Sequence, residues 1–196
     1  MRRLRYQVAT SLDGYIAGPN GEYDWIVQDP DIDFNALFAQ FDTVVMGRKT
    51  FELALSQGGD GSMPGMDVYV YSRTLSQADY PAVSIINSDP AAHVRSLKAQ
   101  PRKSEGKADK GAGKADKSKG KARGEDIWLF GGGELFRTLL DAGVVDTVEP
   151  AVMPVLIGGG LPMLPPPTAS HAKLSLSGHR LYPKSGIMLL QYTVIA

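Results

Sequence analysis

A three-layer α/β fold, with helices on both faces of a mostly parallel sheet and an antiparallel hairpin at the C-terminal end, is what this sequence predicts. Three observations carry the prediction. Short, β-rich apolar runs alternate with helical patterns along most of the chain, the order that builds a parallel sheet through helical crossovers. Several of these runs end abruptly in Gly-rich or basic and hydroxylic strings, as strands do when they deliver loops to a ligand crevice. The last two runs, Ala172–Tyr182 and Gly186–Ile195, alternate in polarity and flank Pro183-Lys184-Ser185, which reads as a hairpin.

The elements follow in order. Arg5–Thr10 is a strand and Gly18-Pro19-Asn20-Gly21 a turn beyond it. Asp33 stands as an N-cap before Phe34, Leu37, Phe38 and Phe41, which have helical spacing. Thr43–Met46 is wholly apolar after its first residue and suits a strand buried on both faces, and the helix after it, with Phe51, Leu53 and Leu55, stops at Gly58-Gly59. Strands are expected at Asp67–Ser72 and Val83–Ile86, then a helix at Pro90–Lys98. Ile127–Phe130 is a buried strand, Leu135–Leu140 a helix closed by Gly143, and Asp146–Met153 a strand. The pattern leaves the order of strands in the sheet open.

The 196 residues read as one domain, 1–196, interrupted at 101–124. That interruption, PRKSEGKADKGAGKADKSKGKARG, holds a near-repeat of Gly-Lys-Ala-Asp-Lys and no large apolar residue, so it cannot offset the entropy of its own ordering and is expected to be a solvated loop. It carries nine Lys/Arg against three Asp/Glu within a chain of zero net charge, which leaves the body mildly acidic and speaks against a broad nucleic-acid surface there. No stretch approaches the roughly 20 apolar residues of a membrane span, and the N-terminus makes a better strand than a signal peptide. A cytoplasmic protein with no membrane partner is expected. With no cysteine there is no disulfide, thiolate metal site or cysteine nucleophile, and His93, His171 and His179 lack ligand spacing, so no metal is expected.

Three strings offer chemistry for a phosphorylated dinucleotide. Phe130-Gly131-Gly132-Gly133-Glu134-Leu135 ends a strand and opens a helix, where bare backbone lets a pyrophosphate approach helix N-terminal N–H groups. It is neither a Rossmann fingerprint nor a Walker A loop, and a plain strand-to-helix turn would also use glycine. Gly47-Arg48-Lys49-Thr50 repeats the arrangement with a guanidinium and a hydroxyl, although an exposed first helical turn explains it equally well in isolation. Tyr71-Ser72-Arg73-Thr74 places Ser and Arg at a strand end, where a ribose 2′-OH wants an acid and a 2′-phosphate wants these residues. The combination points to NADPH over NADH.

Taken in order, these strings, with Ser11-Leu12-Asp13-Gly14-Tyr15-Ile16-Ala17 before them and Pro154-Val155-Leu156-Ile157-Gly158-Gly159-Gly160 after, resemble the dihydrofolate reductase-like superfamily. The resemblance is strongest to the C-terminal reductase domain of the riboflavin-biosynthesis deaminase–reductase and its stand-alone relatives, and runs from about Tyr6 to the end, outside 101–124. It implies a dihydrofolate reductase-like fold that binds NADPH and passes hydride to a pyrimidine-linked or related heterocyclic substrate. It implies nicotinamide contacts at the backbones of Ala9 and Ala17, adenosine-phosphate contacts at Arg48, Thr50, Ser72 and Arg73, and pyrophosphate contacts from Gly131 to Leu135. A cis Gly–Gly peptide near Gly132-Gly133 and a homodimer are implied as well.

The chain departs from the bifunctional pattern in lacking any zinc-deaminase signature. The acid on the substrate side stays open between Asp13, favoured as the catalytic-site acid, Asp31 and Asp33, with Trp25 as a further substrate-side candidate. Each acid has a plain structural alternative: a turn former, a solvated loop residue and an N-cap respectively. Arg180 and Lys184 are candidates for a substrate phosphate. Two other readings remain: a pterin or folate reductase, and a non-catalytic nucleotide- or nucleic-acid-binding protein that uses the Lys-rich segment.

Overall fold

Apolar alternation and glycine punctuation resolve into the following elements in the computed structural model, which describes residues 1–100, 126–167 and 171–195. In chain order they are β1 (Leu4–Ser11), β2 (Tyr15–Ala17), α1 (Phe34–Phe38), β3 (Phe41–Gly47), α2 (Arg48–Ser56), β4 (Asp67–Tyr71), β5 (Ser84–Ile86), α3 (Pro90–Ala99), β6 (Asp126–Gly131), α4 (Gly133–Asp141), β7 (Thr147–Met153), β8 (Leu161–Pro162), β9 (Lys173–Tyr182) and β10 (Ile187–Ile195). The expected loop at 101–124 lies outside the described residues.

The main sheet runs β5-β4-β3-β6-β1-β7-β10-β9. Its first six strands are parallel, and β10 pairs antiparallel with both β7 and β9, so the C-terminal hairpin closes the edge. Strands β2 and β8 form a separate antiparallel pair. The three-layer α/β/α prediction therefore holds, with this small second sheet added.

Two apolar clusters fix the layers. On one face Leu4, Tyr6 and Leu129 meet Val94 and Leu97 of α3 and Phe136 and Leu139 of α4, and the Tyr6 and Phe136 rings stack at 3.8 Å. On the other, Val44, Met46 and Trp128 meet Phe51 of α2. Each fully buried large side chain contributes about 1.5–3 kcal/mol. Helix starts are set by chemistry legible in the chain. The Asp89 carboxylate accepts from Ala91 and Ala92 N–H with Pro90 at the first helical position, and Asp33 accepts from Ala36 N–H at 2.9 Å.

One boundary differs from the expectation. The helix after Asp33 ends at Phe38, and Phe41 is the first residue of β3, its ring stacked on Trp128 at 5.3 Å. The i, i+3, i+4 spacing continued through Phe41, but burial against Trp128 sets its conformation. Among the described residues no helix is long and apolar enough to cross a membrane.

Candidate functional site

Because β5, β4, β3, β6, β1 and β7 are parallel neighbours, their carboxyl ends lie along one rim in that order. The strings read from the sequence sit on it in succession: Ser72-Arg73-Thr74 after β4, Gly47–Thr50 after β3, Gly131–Leu135 after β6, Ser11–Ala17 after β1 and Pro154–Gly160 after β7. With strands about 4.8 Å apart, this row spans about 20 Å.

At its centre two helices begin side by side. The N-caps of α2 and α4 are Gly47 and Gly132, neither with a side-chain cap, so the first N–H groups of both helices keep their hydrogen-bonding capacity and positive potential for an anion. A Cβ built on Gly47 would stand 3.9 Å from Gly131 O and Gly132 N. Thr50 Oγ1 faces the same turn, 3.4 Å from the Cβ position of Gly132 and 3.7 Å from that of Gly131. The cis peptide of this turn is Gly131–Gly132, one residue before the expected pair.

The third glycine has a different reason. A Cβ on Gly133 would meet Pro162 O at 2.6 Å and Pro165 Cδ at 2.9 Å, so the residue is fixed by packing against the 162–165 segment. Glu134 points outward and pairs with Arg137 at 2.8 Å, while Leu135 is buried. Arg48 and Lys49 are exposed, and among the described residues Arg48 makes only a 3.9 Å contact with Glu52, an exposed pair of little worth.

The β4 end is more ordered than a charged turn requires. Ser72 is buried, and its Oγ accepts from Thr74 N–H at 3.2 Å and Leu75 N–H at 3.0 Å, leaving Arg73 exposed. Arg73 lines an open cleft of about 500 Å³ together with Tyr71, Asn87, Ser88 and Thr138. Asn87 and Ser88 escaped the sequence reading, although their place at the end of β5 was the available signal. Nearby, Tyr71 Oη and His93 Nδ1 are 2.8 Å apart. Burial raises the Tyr71 hydroxyl pKa and lowers that of His93.

Asp13 joins two loops that are far apart in sequence. Its carboxylate accepts from Gly158 N–H at 2.7 Å and Ile157 N–H at 3.3 Å. Leu12 N–H donates to Val155 O, Met163 N–H donates to Gly14 O, and Gly160 lies where a Cβ would strike Ala17 O at 2.1 Å. The Ser11 hydroxyl, and then the Gly158 and Ile157 amides, hold the Asp13 carboxyl below its ordinary range, so it is an anion at neutral pH. Its observed work is to seat the 154–160 loop against the end of β1.

The face of the sheet beneath this rim forms a floor. Ala9, Ala151 and Leu189 stand in register across β1, β7 and β10, and Trp25, Ile26 and Ile32 cover the same cluster from above. The covering segment is tied down by Asp29, 2% exposed, which accepts from Asp31 and Ser185 N–H. The Ser185 side chain, with the two amides, lowers the Asp29 pKa despite burial. Asp31 pairs with Lys184 at 2.9 Å, Asp33 caps α1, and Trp25 Nε1 donates to Glu22 O at 3.1 Å. The guanidinium of Arg180 lies 4.6 Å over the Tyr182 ring. Asp29 was not singled out from the sequence, where an acid beside Pro30 reads as a solvated turn.

This combination of sheet order, glycine turn and crossed loops defines a class, the dihydrofolate reductase-like reductase fold. Dihydrofolate reductase from Enterococcus faecalis, solved as a complex with NADP(H), superposes with a TM-score of 0.63 at 15% identity over 99% of this chain and 97% of that one. The chain belongs to the RibD C-terminal domain family, whose model matches residues 2–187. A putative riboflavin biosynthesis protein from Shewanella sp. PV-4 superposes with a TM-score of 0.74 at 23% identity over 99% of both chains. In sequence the chain is 32% identical to the uncharacterized protein YyaP of Bacillus subtilis (strain 168), over 83% of this chain and 80% of that protein.

Proposed function

We propose that the protein is an NADPH-dependent reductase of the riboflavin-biosynthesis type, acting on a pyrimidine-linked or related heterocyclic substrate such as a phosphoribosylamino-uracil. The observation that carries this reading is the pair of uncapped helix N-termini at Gly47 and Gly132, set together with Thr50 between them. The space that a Cβ on Gly132 would occupy beside Thr50 is the approach a pyrophosphate needs. The family membership supports the same reading. When bound, NADPH supplies the hydride.

The chain's own residues bind and orient. The N–H groups of the two helix starts and Thr50 hold the pyrophosphate, Arg48 and Arg73 hold the adenosine-side phosphates, and Ser72 shapes the turn that presents Arg73. Lys49, Thr74, Glu134 and Leu135 complete the borders of that groove. Ala9 and Ala17 flank the nicotinamide through their backbones, with the 154–160 loop held in place by Asp13, whose role is positioning. Trp25, Ile26 and Ile32 exclude water above Ala9 and Ala151. Asp31 and Asp33 take part only through Lys184 and the start of α1.

Loss of NADPH absorbance on adding a phosphoribosylamino-uracil is the test. Turnover with this substrate and none with dihydrofolate supports the reading. Turnover with dihydrofolate alone moves the protein to the pterin class, and DNA or RNA binding that vanishes without 101–124 supports the non-catalytic alternative. A homodimer is part of the proposal, supported by Leu174, Leu176, Leu181 and Ile195, which lie exposed along the last two strands. Light scattering should give twice the chain mass for wild type and a monomer for Leu176→Lys.

A further inference from the structure

The floor beneath the rim contains one polar atom that the fold leaves unsatisfied. Gln7 lies mid-way along β1, between Tyr6 and Val8, which pack toward α3 and α4; by strand alternation it faces the opposite side, with Ala9. The residue is 8% exposed, and its Oε1 is buried without a hydrogen-bond partner among the described residues. The neighbouring donors are committed elsewhere. Arg5 Nε and Nη2 donate to the Glu149 carboxylate, as does the Thr147 hydroxyl, while Arg5 Nη1 donates to Gln40 and Asp126. Trp128 Nε1 donates to the backbone carbonyl of Gln7 itself. A buried amide oxygen without a partner is costly in a folded chain, and an apolar residue of the same size would avoid the cost.

Position supplies a reason for it. Ala9 is two residues further along β1, about 7 Å, and is the residue beside the nicotinamide in the function proposed above, on which this inference rests for that placement. The β1–β6 register sets Arg5 opposite Trp128, so Gln7, two residues further along β1, faces the same side of the sheet as the Trp128 indole, which donates to its carbonyl and lies 4.9 Å from the Phe130 ring. Phe38 of α1 approaches Trp128 at 5.6 Å, and Phe34 and Phe38 remain 44% and 40% exposed, with no residue of α1 buried. The unsatisfied oxygen thus shares a sheet face with an aromatic wall, Trp128 and Phe130, that continues through Phe38 and Phe34 to uncovered apolar surface.

We propose that Gln7 is a specificity-determining residue that reads the hydrogen-bonding edge of a planar heterocyclic substrate, and that this edge is a ring lactam. A primary amide presents one acceptor beside one donor, which matches the N–H and C=O of a lactam with two hydrogen bonds. The aromatic wall supplies the stacking surface for the ring.

Calorimetric titration with 5,6-diaminouracil, with and without saturating NADPH, tests this. Wild type is expected to bind the ring, and Gln7→Leu to bind it at least tenfold more weakly with unchanged NADPH affinity and no loss of thermal stability. Gln7→Glu, which offers two acceptors, should prefer 2,4-diaminopyrimidine at a pH where that ring is protonated, and this swap decides the matter if Gln7→Leu does not fold. Equal ring binding by wild type and Gln7→Leu, or no ring binding by wild type, overturns the proposal. Ring binding that depends on Gln7 in a protein without NADPH affinity would sustain this assignment while removing the cofactor reading, so the two fail separately.

Discussion

The two ends of the same sheet treat charge in opposite ways. At the amino ends of the strands, Arg2 bonds Asp42 and Thr43, Arg5 makes a two-pronged pair with Glu149 and lies 4.8 Å over the Phe41 ring, and Lys98 pairs with Asp146 at 2.6 Å. Arg2, Arg5, Asp42 and Glu149 are all buried. Burial pushes the Asp126 carboxyl up, but the Arg3 hydrogen bond and the charges of Arg3 and Arg5 outweigh it, and the group stays below its usual range. At the carboxyl ends, Arg48 and Lys49 are exposed at the uncapped start of α2, and Arg73 is exposed after β4. Buried pairs satisfied by one another hold a structure together, whereas cations left to solvent at a strand-end crevice are available to an anion. One end is finished in the chain itself; the other, in the function proposed above, is completed by a ligand.

The contrast is broken most directly at the finished end. Asp42→Ala removes the carboxylate that balances the buried Arg2 guanidinium and should cost about 3–5 kcal/mol in urea unfolding, with NADPH affinity unaltered in the fraction that stays folded. A cost below about 1 kcal/mol would show that Arg2 does not depend on this partner. Next in size is a pair of neighbouring glycines. Gly133→Ala drives a Cβ into the Pro162 carbonyl and should lower stability by about 1–3 kcal/mol. Gly132→Ala meets only Thr50 Oγ1 at 3.4 Å and has an extended φ of −91° that alanine adopts freely. It should keep its melting temperature and lose at least about tenfold in NADPH affinity, about 1.4 kcal/mol; equal stability losses at the two positions would mean that both glycines serve packing.

Arg48→Ala should weaken NADPH binding by about 1.5–3 kcal/mol, the worth of a charge-assisted contact, and leave unfolding unchanged, because its contact with Glu52 is exposed. Unchanged affinity removes Arg48 from the groove. The smallest effect concerns Asp29. Its carboxyl is depressed in the folded chain, so its contribution to stability is present above the unfolded carboxylate pKa of about 3.9 and is lost as pH falls through the lower, folded value. Asp29→Asn should therefore flatten the acid limb of the stability–pH curve, and an identical limb in both proteins would contradict that assignment.

Much of the open rim was legible because local chemistry writes it. Glycine at the end of an apolar run, Ser and Arg after a strand, and Asp before a helix are each short-range signals. The finished parts were less so, because their partners are distant. Asp13 meets Gly158 across 145 positions and Asp29 meets Ser185 across 156. Only the folded register shows that Gly133 is held by the 162–165 segment. Gln7 reads as an ordinary polar residue in a strand until its neighbours are seen to be fully bonded to one another. Phe41 shows the same limit from the other side, since helical spacing continued through a residue that tertiary packing assigned to a strand.

The central claim, that the rim completes itself with a 2′-phosphorylated dinucleotide, is tested most directly by calorimetric titration of the purified protein with NADPH and with NADH. The account predicts saturable NADPH binding at least about tenfold tighter than NADH, about 1.4 kcal/mol, with the difference abolished in Arg73→Ala. Equal affinity for the two would contradict the assignment of Ser72 and Arg73, and absence of binding to either would contradict the account as a whole.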